Sequence, residues 1–144
     1  MPLSAEDMLG LLQAQALYGH VLDRFLWDKL DQVFAPDGVF DPSDVGLPVM
    51  RGLDEIREKL IPLEEGPGRD RRHNHIVANP AVIAVGEDGV VKMRSKYIVS
   101  GESPFVSFGE YEDEMVKTPD GWRISYRKTR RLTRHHLAHA GAQP

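Results

Sequence analysis

Phe105-Val106-Ser107-Phe108-Gly109-Glu110-Tyr111-Glu112-Asp113-Glu114-Met115-Val116-Lys117 alternates with the period of a strand that is wet on one face. Val106, Phe108, Glu110, Glu112, Glu114 and Val116 share one side, and the three glutamates assign that side to solvent in its middle. Phe105, Ser107, Gly109, Tyr111, Asp113 and Met115 then point inward. An inward carboxylate needs a partner, because a buried unpaired charge is costly. The alternation Arg123, Ser125, Arg127 on the next segment supplies one. The spacing predicts a buried Asp113–Arg127 ion pair whose simplest role is to fix the register of two neighbouring strands.

Outward from this strand, the same period covers Arg72 to Val85, Val90 to Gly101 and Trp122 to Thr133. Gly86-Glu87-Asp88-Gly89, Glu102-Ser103-Pro104 and Pro119-Asp120-Gly121 separate them as hairpin turns. Upstream the period is helical. Ser4 and Asp7 form a capping box, and Met8, Leu11, Leu12, Ala16, Leu17, Val21 and Leu22 recur on one face of a helix from about Ala5 to Leu22. A second short helix is expected over Trp27 to Phe34, a turn at Pro36-Asp37-Gly38, and a short strand at Val39-Phe40-Asp41. A third helix runs from Leu53 to Leu60, and Glu64 to Asp70 reads as a loop. Helices followed by an antiparallel run is the α+β pattern. Long strands of this kind curl, wrap round three N-terminal helices as a cone, and leave a cavity at the open end. One domain spans 1–144, with an ordered core of about 5–133 and a His-rich tail over 134–144.

Composition narrows the function classes. With 144 residues and a formal net charge of −4, the chain has no electrostatic footprint for nucleic acid. It has no cysteine, which removes disulfides, thiolate zinc sites, iron–sulfur clusters and a Cys nucleophile. No apolar run approaches the ~20 residues of a membrane span. The N-terminus carries no basic and apolar leader, so the expected location is the cytoplasm.

Three elements could carry chemistry. His73 and His75 lie on the same side of a strand start. Such a pair ligates metal only with a third or fourth ligand, and the sequence offers no clear one nearby, so no metal is expected. Taken alone, His75 reads as an ordinary histidine with one hydrogen bond. Asp23 stands where the first helix stops, five residues after Tyr18. The dipole disfavours a carboxylate there, so Asp23 is either solvated or held by a specific partner. The basic run Arg127, Lys128, Arg130, Arg131, Arg134, His135, His136, His139 fits a solvated edge or a subunit contact, since no Gly-rich phosphate cradle accompanies it.

Together these pieces resemble the SnoaL-like branch of the nuclear-transport-factor-2-like (NTF2-like) superfamily. Within it they look most like the group of scytalone dehydratase, bile-acid 7α-dehydratase and lindane dehydrochlorinase. The carrying residues are Tyr18…Asp23, Phe34-Ala35-Pro36-Asp37-Gly38-Val39-Phe40, Arg51-Gly52, His75-x-x-x-Asn79, Tyr111-x-Asp113 and Gly121-Trp122-Arg123-Ile124-x-x-Arg127. The resemblance implies a His75–Asp23 dyad that works without metal or organic cofactor, assisted by Tyr18. It departs from the family in two places. Relatives carry Asp-Arg-x-Asp-Trp where this chain has Asp23-Arg24-Phe25-Leu26-Trp27-Asp28. The second pocket histidine of scytalone dehydratase has no counterpart between His75 and His135.

The activity so implied is elimination of water from a small, largely apolar, cyclic hydroxy-carbonyl compound. His75 is the base, and Tyr97 or Tyr111 is the hydrogen-bond donor to the developing enolate. Phe25, Val49, Met50, Leu53, Met93 and Phe105 are expected to line the pocket beside those tyrosines. The same parts suit an isomerase or a polyketide cyclase. A non-catalytic binding or assembly domain, such as an oxygenase small subunit, is the alternative. Val106, Phe108 and Val116 on the outer face suggest a homo-oligomer, and the resemblance favours a trimer.

Overall fold

α1 (Ala5–Asp23) begins where Ser4 caps it. The Asp7 N–H donates to the Ser4 hydroxyl at 3.0 Å, and the Ser4 N–H donates to the Asp7 carboxylate at 3.1 Å. This reciprocal pair satisfies donors that a helix start otherwise leaves orphaned. The computed structural model describes residues 2–66, 73–101 and 106–132. After α1 come a 3₁₀ segment (Trp27–Gln32), β1 (Phe34–Asp41), a short 3₁₀ turn (Ser43–Val45) and β2 (Met50–Arg51). α2 (Leu53–Glu65), β3 (Asn74–Val85), β4 (Val91–Ser100), β5 (Val106–Thr118) and β6 (Gly121–Arg131) complete the fold. The strands make one sheet in the order β2-β1-β6-β5-β4-β3, antiparallel except for the β1–β6 pair. The class is α+β, as the periodicities predict.

β5 alternates as its sequence requires. Gly109, Tyr111, Asp113 and Met115 are buried, while Val106 and Phe108 are 59% and 63% exposed on the outer face. Asp113 receives Arg127 through two bonds, from Nε and from NH2, each 2.8 Å long. Gln15 of α1 adds a third at 2.8 Å, which ties the helix to the sheet. The Arg127 guanidinium lies 4.4 Å from the Tyr18 ring and 4.0 Å from the Tyr111 ring, a double cation–π stack.

Four sequence expectations need correction. The alternation Arg123, Ser125, Arg127 does not hold, because a bulge lies between the pairs Glu114–Tyr126 and Met115–Ile124. Ser125 sits in the bulge with its hydroxyl donating to the Glu114 carbonyl at 3.0 Å. Parity changes there, so Trp122 and Ile124 face inward together with Arg127 and Thr129. The second helix is 3₁₀ and ends at Gln32, because Phe34 is captured by the sheet: the Ile124 N–H donates to the Val33 carbonyl at 2.8 Å. Pro36-Asp37-Gly38 is an irregularity inside β1 rather than a turn before a strand, where the pairing with β6 slips between Phe34 and Val39.

Finally, α2 runs past Leu60 to Glu65 and carries Pro62 in its interior. A mid-helix proline costs about 3 kcal/mol. Opposing that cost, Leu60 and Leu63 pack on the core and Trp27 Nε1 donates to Glu65. Glu64, expected in a loop, is therefore a helical residue. The turn Glu102-Ser103-Pro104, residues 67–70 of the expected loop, and the His-rich tail lie outside the described residues.

Candidate active site

Gly19 decides how close α1 comes to β3. A Cβ there would stand 2.4 Å from the His75 carbonyl oxygen, so only a bare backbone permits the approach. One helical turn later on the same face is Asp23. Its carboxylate accepts the His75 backbone N–H at 2.9 Å through Oδ2, and its Oδ1 lies 2.5 Å from His75 Nδ1. Asp28, the other acidic residue of that segment, is exposed, so Asp23 is the carboxylate that meets the imidazole. The chain then leaves the helix through Phe25, whose φ of 55° is left-handed. Asn79 takes a φ of 51° where the β3–β4 pairing shifts between Ala78 and Ala81. Asn tolerates that conformation better than most residues, which accounts for its place four residues after His75.

With Nδ1 committed to Asp23, Nε2 is the nitrogen left for the cavity that His75 lines. The His75 side chain is 8% exposed and that of Asp23 21%, so the pair is sheltered without being sealed. The cavity holds about 280 Å³. Leu22, Phe40, Leu60 and Val99 give it apolar walls, and Tyr18, Tyr97 and Tyr111 give it phenols. That volume sits at the small end of ligand pockets. The Tyr18 ring stands edge-on to His75 with centroids 5.9 Å apart, and edge-on to Tyr111 at 5.6 Å. Burial pushes the Tyr18 and Tyr111 phenols well above their ordinary range, which keeps both protonated as donors.

Other expected lining residues lie elsewhere. Met50 and Met93 are fully buried in the packed core, Met93 level with the Asp113–Arg127 pair. Phe25 stacks on Trp27 with ring centroids 6.2 Å apart, away from the cavity. Leu53 packs on the core from the first turn of α2, and Val49 is half-buried just before β2. Phe105 lies outside the described residues.

Sequence reasoning missed Glu64, Ser107, Thr129 and Arg131, all of which line the cavity. Glu64 lies 3.2 Å from His73 Nδ1, a second imidazole–carboxylate pair beside the first, and the two imidazole centroids are 6.2 Å apart. Its signal was helical spacing from Leu60, obscured by Pro62. Thr129 and Arg131 share the parity of Arg127, so period two counted on from Arg127 was the signal that could have found them. Among the described residues no three His, Cys, Asp or Glu side chains converge on one metal-sized point. No described helix is long and apolar enough to cross a membrane.

The curved six-stranded sheet over α1 and α2 is a fold shared with a solved NTF2-like protein of Novosphingobium aromaticivorans that has a cystatin-like fold, with a TM-score of 0.74 at 21% identity over 96% of this chain and 90% of that one. Residues 4–128 match the SnoaL-like domain model, and the chain belongs to that family. Among its relatives is the anthranilate 1,2-dioxygenase small subunit of Burkholderia cepacia, 26% identical over 141 residues that cover 85% of this chain and 87% of that one. A solved candidate aromatic ring hydroxylase from Novosphingobium aromaticivorans is also 26% identical, with a TM-score of 0.72 over 92% of this chain and 93% of that chain. A candidate scytalone dehydratase from the same organism superposes with a TM-score of 0.71 at 18% identity, over 88% and 84% of the two chains, and so shares the fold.

Proposed function

We propose that the chain is a cytoplasmic, cofactor-independent lyase that removes water from a small, largely apolar, cyclic hydroxy-carbonyl compound. The observation that carries this reading is the 2.5 Å contact between His75 Nδ1 and Asp23 at the wall of the cavity. Asp23 holds the tautomer that leaves Nε2 unprotonated and stabilises the imidazolium that follows. His75 Nε2 takes the proton α to the carbonyl. The C–H electrons pass toward the carbonyl oxygen as an enolate and return to form the new double bond as the β-hydroxyl leaves with its bonding pair. Tyr18 protonates that oxygen, which departs as water. Tyr111 donates to the enolate oxygen while charge develops there. The proton on His75 then returns to the Tyr18 phenolate, and the catalyst is restored. An isomerase would use the same base with a different proton acceptor.

The test is a panel of cyclic β-hydroxy ketones and acids, followed by ultraviolet absorbance of the conjugated alkene. General-base help is worth ~10²–10⁴-fold. His75→Ala and Asp23→Asn should each lose a factor in that range while the circular-dichroism melt stays cooperative. Full turnover by His75→Ala on an accepted substrate would sink the dyad.

One observation favours a second reading, an assembly role like that named for the dioxygenase small subunit. Ile76, Ile98 and Phe108 are adjacent across β3, β4 and β5 on the outer face, and they are 48%, 41% and 63% exposed. An apolar row of this kind suits a subunit contact, a trimer of this chain above all. Sedimentation of the wild type and of Phe108→Lys addresses it: loss of mass in the variant supports the contact, and a monomeric wild type overturns it.

A further inference from the structure

Beside His75 the cavity has a polar wall, of which the elimination chemistry uses Tyr111 alone. Tyr97, Gly109 and Arg131 are register partners in one row across β4, β5 and β6, and Tyr111 pairs with Thr129 in the next row. Gly109 has no side chain, and Tyr97 occupies the space. A Cβ on Gly109 would lie 2.6 Å from the Tyr97 hydroxyl and 2.7 Å from its ring. The Tyr97 ring therefore lies across β5, stacked on Tyr111 at 4.8 Å between centroids, with its hydroxyl carried toward β6. There it meets the strand that bears Thr129 and Arg131.

Two of these groups are buried and unsatisfied. Tyr97 is 3% exposed and Thr129 5%, both line the cavity, and neither hydroxyl has a hydrogen-bond partner among the described residues. Ser107 faces the Tyr97 hydroxyl without completing a bond to it. A buried hydroxyl left unpaired is destabilising, so a wall with two of them is built for something that enters. Arg131 adds the charge. It lines the same cavity, it is exposed, and no carboxylate among the described residues pairs with it. Its neighbours differ: Arg130 is bound by Glu112 and Asp44, and Lys128 by Asp41 and Asp44. Burial raises the Tyr97 phenol, so its hydroxyl is a proton donor at neutral pH.

We propose that Tyr97, Thr129 and Arg131 form an anion-recognising subsite that receives a carboxylate on the substrate, so that the guest is a cyclic carboxylic acid held with its apolar body toward His75. Two neutral donors and one guanidinium match the acceptor-only oxygens of a carboxylate. This deepens the reading above and rests on it only for the reacting end. The subsite itself is a binding claim.

Benzoate and its neutral isostere benzamide separate the possibilities. Isothermal titration at pH 7.5 should show benzoate binding at least about tenfold tighter than benzamide. Arg131→Met should weaken benzoate by about 10- to 100-fold, the worth of one charge-assisted bond, and leave benzamide unchanged. Tyr97→Phe and Thr129→Val should each weaken benzoate by about 3- to 10-fold. His75→Ala should weaken benzoate less than Arg131→Met does, because the imidazole meets the apolar body and not the carboxylate. Equal affinity for the two probes overturns the subsite. So does unchanged benzoate binding by Arg131→Met, or no saturable benzoate binding below about 20 mM, weaker than one charge-assisted bond allows. Loss of benzoate binding in His75→Ala with Arg131→Met unaffected places the anion at the imidazole instead, and also overturns it. If the Arg131 result holds while no hydroxy acid on the panel is turned over, the lyase reading fails and the anion subsite stands.

Discussion

Asp113–Arg127 and Asp23–His75 are both carboxylates joined to a nitrogen base on the inner side of one sheet, and they are built to opposite ends. The first is sealed: both side chains are 0% exposed, two parallel bonds join them, and Gln15 takes a further lone pair. The second is only sheltered, its carboxylate is 21% exposed, and one ring nitrogen is left over. A pair whose carboxylate is held by three bonds and whose side chains are both shut off from solvent can fix register and nothing else, even though the buried Arg127 Nη1 has no hydrogen-bond partner. A pair with one free nitrogen beside a cavity can exchange a proton with a guest. Access from outside, more than the presence of charge, separates the structural end of this sheet from the chemical one.

Removing one partner at each end tests that contrast. Arg127→Met strands the Asp113 carboxylate in a dry core, and breaking a buried pair from one side costs about 3–5 kcal/mol. Urea denaturation should show a loss of that size. The charge-free variant Asp113→Leu/Arg127→Met should lose less than Arg127→Met alone, since no orphan charge remains. His75→Ala, the same operation at the open end, should cost about 1 kcal/mol or less, because water can reach Asp23. Equal losses at the two ends would abolish the distinction.

The sealed end was the more legible. Period two put Tyr111 and Asp113 on one face, and the cost of burying a lone carboxylate demanded a cation. Arg127 was the correct partner, although the alternation used to reach it fails at the Ser125 bulge. Nothing local announces a bulge there, because its cause is the fit of β6 against β5 and β1. The open end was less legible. His75 and Asp23 are 52 residues apart, and on residue chemistry alone each has an ordinary reading. Only the family resemblance joined them. Met50 and Met93 were expected in the cavity because they are apolar and inward. Inward residues fill the core wherever the sheet closes, however, and sequence does not mark where it opens. Glu64 was lost to the loop reading of Glu64 to Asp70, drawn from the glycines and proline just past it, a local preference outweighed by packing at Leu60 and Leu63.

The smaller prediction concerns what lets the open end form at all. Gly19→Ala adds one methyl at a point 2.4 Å from the His75 carbonyl oxygen, and the obstacle is backbone, which cannot swing aside. Either α1 or the start of β3 must retreat. Overpacking of this kind costs about 1–3 kcal/mol, partly offset by the better helix propensity of alanine, ~1 kcal/mol. The net stability loss should therefore fall below that of Arg127→Met. The geometric effect should be the sharper one. A retreat of even half an ångström lengthens both bonds that Asp23 makes to His75, and the Nδ1–H tautomer loses its anchor. Nitrogen-15 spectra of the imidazole should show a mixed tautomer in Gly19→Ala and a single Nδ1–H form in the wild type. The ring signals of Tyr111 beside Arg127 should not move. If the His75 tautomer survives the methyl group unchanged, the close approach of α1 is not what holds the pair, and the helix-end carboxylate reaches the imidazole by the flexibility of its own side chain.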